Sequence, residues 1–170
     1  LDTMAFGGRV HYWLGDHVKV GVTTSRDEEE GIDNNLDAAD VTIRKSSHTW
    51  VKLETGRSKG PGLSTTNSPD GGFNFTTTGS LANSEVEAMA HRVDVSFGFQ
   101  DFFEKWKGRV TLYNQELEAG YSAPGLATLR DTSQLGGTAE LPITARLGLH
   151  LKTDKRTVDQ GLETEAAEVN

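Results

Sequence analysis

Arg92-Val93-Asp94-Val95-Ser96-Phe97-Gly98-Phe99 (92–99) places an apolar side chain at every second position and a charged or small one between. That period of two is the mark of a strand with one greasy face, since successive side chains point to opposite sides of a pleated backbone. The same division recurs on both sides of it. Val18, Val20 and Val22 alternate with Lys19, Gly21 and Thr23; Val51 and Leu53 alternate with Lys52 and Glu54; Leu147, Leu149 and Leu151 alternate with Arg146, Gly148, His150 and Lys152. Helix signals are nearly absent. Ser84 with Glu87 three residues on has the form of a capping pair, but it runs straight into the 92–99 alternation and reads as strand entry. The expected strands are 8–14, 17–25, 38–44, 49–57, 85–99, 105–121, 132–141, 145–154 and 162–169, an all-β chain.

The 170 residues suit one domain, or part of a larger one, and their balance of 25 acidic against 17 basic residues gives a formal charge of −8. The average field repels phosphate and no Lys/Arg block stands out, so nucleic acid is not expected as a partner. With no cysteine there is no disulfide, no thiol catalysis and no thiolate metal site. No apolar run approaches the ~18 residues of a membrane helix, which leaves a β-barrel as the only way to cross a bilayer. Leu1 is not an initiator and the first residues lack the pattern of a signal peptide; the expectation is a mature form or an excised piece.

Connection lengths carry the next step. Gly15-Asp16, Lys45 to His48, Gln100 to Glu104 and Pro142 to Thr144 read as tight, whereas Arg26 to Asp37, Ser58 to Ser84, Ser122 to Asp131 and Lys155 to Gly161 read as long. In an antiparallel up-and-down meander every second connection lies at the same end, so short turns collect at one end and long loops at the other. Transmembrane β-barrels have that asymmetry. The aromatic residues Tyr12, Trp13, Trp50, Phe99, Phe102, Phe103 and Trp106 flank the short turns, as an interfacial girdle would, and Tyr113 and Tyr121 are candidates for the opposite girdle.

Val-Lys-Val-Gly-Val-Thr-Thr-Ser-Arg-Asp (18–27), Thr-Trp-Val-Lys-Leu-Glu-Thr-Gly-Arg-Ser (49–58) and Ala-Arg-Leu-Gly-Leu-His-Leu-Lys-Thr-Asp (145–154) resemble membrane strands of Gram-negative outer-membrane β-barrel proteins. The resemblance covers nearly all of the chain and is one of style. It implies a membrane anchor or passive pore in the bacterial outer membrane, with the lipid bilayer and lipopolysaccharide as partners, no cofactor and no enzymatic role. Two departures stand out: the last strand does not close on an aromatic residue, and nine strands are odd where single-chain bacterial barrels are even. Residues 1–170 are expected to be a single barrel domain or a segment of a larger barrel, and a truncated segment of a larger parent chain accounts for both departures.

The resemblance assigns Val18, Val20, Val22, Val93, Val95, Phe97, Leu147, Leu149 and Leu151 to lipid, and Lys19, Arg44, Lys52, Glu54, Arg92, Asp94, Glu140, Arg146, His150 and Lys152 to the lumen. A soluble β-sandwich or lipocalin-like barrel, with the apolar face inward and carbohydrate or another extracellular ligand held by long loops, accounts for the same alternation. Other site signals are bland. The acidic stretch Asp27–Asp37 lacks EF-hand spacing and reads as a hydrated loop. The segment 57–84, rich in Gly, Ser and Thr with Phe73 and Phe75 inside it, reads as an external loop or a lumen plug. No Walker loop, G-x-S-x-G or H-E-x-x-H occurs. Among His11, His17, His48, His91 and His150, only His91, beside Glu87 and Asp94, invites a test as a hydrolase imidazole. Asn74-Phe75-Thr76 matches a glycosylation acceptor but has no bearing in a bacterial setting.

Overall fold

The computed structural model describes residues 5–27, 34–61, 65–67, 76–78, 85–103, 105–123, 126–143, 147–159 and 162–169. Nine strands form one sheet: β1 (Ala5–Leu14), β2 (Val18–Asp27), β3 (Asn34–Arg44), β4 (Trp50–Pro61), β7 (Glu85–Gly98), β8 (Arg109–Leu117), β11 (Thr132–Pro142), β12 (Gly148–Val158) and β13 (Leu162–Val169). Two short ribbons interrupt this series, β5 (Thr65–Asn67) with β6 (Thr76–Thr78) and β9 (Ser122–Ala123) with β10 (Leu126–Ala127). The sheet order is β1-β2-β3-β4-β7-β8-β11-β12-β13, antiparallel throughout. It is the expected all-β meander. It is also open: β1 and β13 are its two edges.

Strand ends differ from the expectation, and the extensions at the loop end share one cause. β2, β3, β4 and β12 run further toward the loop end than the apolar alternation does, because cross-strand ion pairs replace aliphatic contacts there. Arg26 pairs with Asp37 at 2.8 Å, Arg57 with Glu87 at 2.5 Å, and Lys155 with both Glu163 and Glu165. The connection expected over 155–161 therefore shrinks to 159–161, and the alternation of short turns and long loops breaks there and again at 99–108, where the turn read as tight over 100–104 spans ten residues.

At the other end, β8 starts at Arg109 rather than 105, since Gly98 opposite Arg109 is the last rung between β7 and β8. The intervening segment opens with a 3-10 turn, Phe99–Asp101, and closes on a bond from the Phe99 N–H to the Gly108 carbonyl at 3.1 Å. Asp101 ties this segment to the neighbouring β3–β4 turn. Its carboxylate accepts from the Ser46 hydroxyl at 2.5 Å and from Thr49, and its backbone carbonyl accepts from the Lys45 ammonium at 2.8 Å. Those two hydroxyl donors hold the Asp101 carboxyl below the usual aspartate value.

Candidate functional site

Strand register sorts the side chains onto two faces of opposite character. One line of directly opposed residues crosses all nine strands as Leu14, Val18, Ile43, Val51, Val95, Leu112, Gly137, Thr153 and Ala167. Val20, Val22, Val93, Phe97, Leu149 and Leu151 share that face, and Leu147 precedes β12 in the same alternation. The other face carries Lys19, Arg44, Lys52, Glu54, Arg92, Asp94, Glu140, His150 and Lys152. Arg146 lies outside the described residues, as do Phe73, Phe75, Asn74 and most of the acidic stretch.

The apolar face is the uncovered one. Val22 is 59% exposed, Leu112 54% and Leu135 56%, whereas Asp40, Ser58 and Ser96 on the ionic face are buried. This inverts the arrangement of a water-soluble domain, where aliphatic rows pack against each other and charges meet solvent.

On the ionic face several charges pair with one another. Arg92 holds Asp94 through two bonds of 2.7 and 2.8 Å, donates to Gln115 at 2.6 Å, and stacks over the Tyr113 ring; Lys52 bonds Glu54. Two contacts reach across an intervening strand. Arg9 on β1 bonds Asp40 on β3 at 2.5 Å over Gly21, and Tyr113 on β8 donates to Asp154 on β12 over Gly136, with Gln134 completing the shell of that carboxylate. A span of two strands is about 10 Å. It is bridged because the middle strand has no side chain there: a Cβ on Gly21 would meet Asp40 at 2.5 Å, and one on Gly136 would meet the Tyr113 ring at 2.6 Å.

At the loop end the ionic face changes to small residues, and the β8–β11 connection folds back onto them. Tyr121 is buried with Leu36, Ala88, Ala90 and Leu117, the hydrophobic core cluster among the described residues. The Ser122 N–H donates to the Ser58 hydroxyl at 2.9 Å and the Asn34 amide donates to the Ser122 hydroxyl at 3.0 Å, so the hairpin reaches past β7 to β4 and β3. Thr128 fixes its shape by donating to the carbonyls of Glu118 and Tyr121. Burial, with the Glu54 charge adding to it, raises the Tyr121 hydroxyl above the usual tyrosine range. Below the hairpin a cavity of about 220 Å³ is lined by Glu54, Arg92, Gln115 and Tyr121, among others.

The apolar band does not follow the hydrogen-bond rows. On β1 it runs from Phe6 to Leu14, centred on Val10; on the β12 side it runs from Leu147 to Leu151, centred on Leu149. The row through Val10 passes Val22, Ala39, Thr55, His91, Glu116 and Ser133 and reaches β12 at Thr157. Leu149 is eight residues from Thr157, so the band slips by about one residue per strand over seven steps. With ~3.3 Å per residue and ~4.8 Å between strands, a level band with that slip needs strands tilted by about 38°.

The aromatic and histidine candidates divide. Tyr12 shares the apolar face, two-thirds exposed, and Phe97 stacks on Phe102 at 4.7 Å within a group that includes Phe99, Phe103 and Trp106. Trp13 and Trp50 fall on the ionic face; Arg44 stacks over Trp13 at 3.9 Å. Tyr113 and Tyr121 are not an opposite girdle, since register places Tyr113 on the ionic face and Tyr121 belongs to the hairpin. His91 bonds the Thr55 hydroxyl at 3.1 Å, while Glu87 is engaged by Arg57 and Asp94 lies on the opposite face. Tyr121, Asn34 and Ser58 had no signal in the alternation. The small residues Gly56, Ser58, Gly60, Ala88 and Ala90, spaced by two where charges are otherwise expected, are the trace that something sits on them.

No protein-family model, curated protein or solved structure matches the chain.

Proposed function

We propose that residues 1–170 form part of a transmembrane β-barrel of a bacterial outer membrane, a membrane anchor or passive pore with no enzymatic role. The supporting observation is the oblique apolar band. A slip of about one residue per strand, equivalent to about 38° of tilt, falls within the ~35–45° of outer-membrane barrels. Along a tilted set of strands such a slip keeps the band at one level, which is what a slab of hydrocarbon selects. A soluble sandwich has no reason to leave that band uncovered.

The other features fit the same reading. Ion-paired side chains on the opposite face line the interior, where their mutual bonds offset the loss of bulk water. The exposed ion pairs Arg26–Asp37, Arg57–Glu87 and Lys155–Glu163 lie on the outward face beyond the apolar band, at the level of lipopolysaccharide headgroups. The hairpin 118–131 narrows the interior at the loop end. Refolding into lipid vesicles tests the reading: strand signal and protease protection gained only with vesicles or detergent support it, and a monodisperse folded monomer in plain buffer overturns it.

A further inference from the structure

Under the hairpin the ionic face carries two neighbouring rows of unlike chemistry. Register lines up Ala38, Gly56, Ala90 and Leu117 in one row across four strands, and Glu54, Arg92 and Gln115 in the next row on the same face. Residues two apart along a strand put such rows ~6.7 Å from each other. Tyr121 and Ala123 of the hairpin face both rows, and together they line the cavity of about 220 Å³.

The polar groups of this cavity keep unused bonding capacity. Tyr121 is only 7% exposed, and its hydroxyl, set over Gly56, has no hydrogen-bond partner among the described residues. The Gln115 carbonyl accepts from Arg92, whereas its amide N–H groups have no partner among the same residues. One Glu54 oxygen takes the Lys52 ammonium, which leaves the other as an acceptor. A buried hydroxyl is costly without a bond, and native proteins give it a partner, from the chain, from water or from a ligand.

Charge selects among the ligands. Lys52 neutralises Glu54, and Asp94 neutralises Arg92 through two bonds, so an ion entering the cavity meets no uncompensated opposite charge to replace its hydration. A hydroxyl group donates and accepts at once, which suits a lining that offers both. A ring bearing several of them can turn its hydroxyls to the polar row and lay its C–H face on Ala90 and Leu117. The volume, below the ~300–1,000 Å³ of sites for drug-sized ligands, limits the occupant to about one such ring.

We infer that the cavity under the hairpin is a binding site for a neutral monosaccharide, held by hydrogen bonds to Tyr121, Gln115 and Glu54 and resting its apolar face on Ala90 and Leu117. The inference deepens the membrane reading above and rests on it for the site's place in the barrel interior.

The test is saturation-transfer NMR on the full polypeptide, folded in a detergent without a sugar headgroup. Glucose and galactose are the neutral probes, with glutamine and tetramethylammonium as charged molecules of similar size. The expected result is saturable transfer to a hexose, weakened about fivefold in Tyr121→Phe, which keeps the ring and loses one hydrogen bond. Gln115→Met is expected to weaken it as well and serves where Tyr121→Phe fails to fold. No transfer to a hexose with folded wild type, transfer unchanged in both variants, or a Tyr121-dependent signal from glutamine or tetramethylammonium with none from a hexose overturns the inference. Insertion of the same preparation into lipid vesicles separates the two claims. A protein that binds hexose through Tyr121 but does not insert keeps the site and sinks the membrane reading; one that inserts and binds no hexose does the reverse.

Discussion

Tyr121 lays its hydroxyl over the α-carbon of Gly56, so closely that a Cβ there would sit 2.7 Å from the oxygen. The two residues are far apart in sequence: Gly56 lies on β4, and Tyr121 follows β8, two strands over in the sheet order. Their contact adds to the Ser122 bonds with Ser58 and Asn34 that hold the β8–β11 hairpin on the ionic face.

Gly56→Val removes the space that Tyr121 occupies. The expected cost is about 1–3 kcal/mol, the usual range for overpacking a fitted site. Urea titration of the folded protein in detergent reads it, and in planar bilayers the same variant is expected to raise conductance by displacing the hairpin. Unchanged stability and conductance mean the contact holds nothing in place.

Leu112→Arg places a charge near the middle of the apolar face. It should weaken insertion by about 2–4 kcal/mol, as arginine does at mid-bilayer. Lys52→Ala on the opposite face removes one partly exposed ion pair and should change insertion by under about 1 kcal/mol. Vesicle refolding yields for the two variants check the pair; equal yields contradict the face assignment.

Asp40 has a nearly buried carboxylate whose ion partner is Arg9. Arg9→Ala leaves that charge uncompensated, at about 1–3 kcal/mol. Adding Asp40→Asn to Arg9→Ala should recover part of the loss, because the amide needs no counter-charge. A double variant as unstable as the sum of the singles breaks the argument.

Most of the nine strands were legible because hydrocarbon or core packing imposes a period of two on Val, Leu and Ile. Their far ends were not. At Arg26, Asp37 and Lys155 the pairing continues on ion pairs, and polarity alone makes those residues look like loop. Face membership was readable within each strand, but Trp13 and Trp50 were grouped by proximity to turns, which ignores the alternation that puts them on the ionic side. The oblique band needed the register, since a slip between strands is invisible until the rungs are known. The hairpin site depends on contacts such as Asn34 with Ser122, whose partners are 88 positions apart.

Two groups outside the strands give stability opposite pH dependences. Asp101 is held below its ordinary value by Ser46 and Thr49, so its contribution is complete above the unfolded value of about 4 and is lost as pH falls through the lowered folded value. Tyr121 is raised by burial, so its contribution is complete below about 10 and is lost as pH rises through the raised folded value. The stability of wild type relative to Asp101→Asn is expected to fall in acid, and its stability relative to Tyr121→Phe to fall in alkali, as read from urea midpoints. Parallel curves across the whole range contradict both.

The direction in which the valine and leucine rows look is tested most directly by fluorescence quenching in vesicles. The 170 residues contain no cysteine, so single cysteines at Val22, Leu112, Thr42 and Gln134 take an environment-sensitive dye one at a time. Brominated acyl chains should quench the dye at Val22 and Leu112 and spare it at Thr42 and Gln134, with a water-soluble quencher failing to reach the first two. Strong aqueous quenching at Val22 and Leu112 with no effect of brominated lipid contradicts the account.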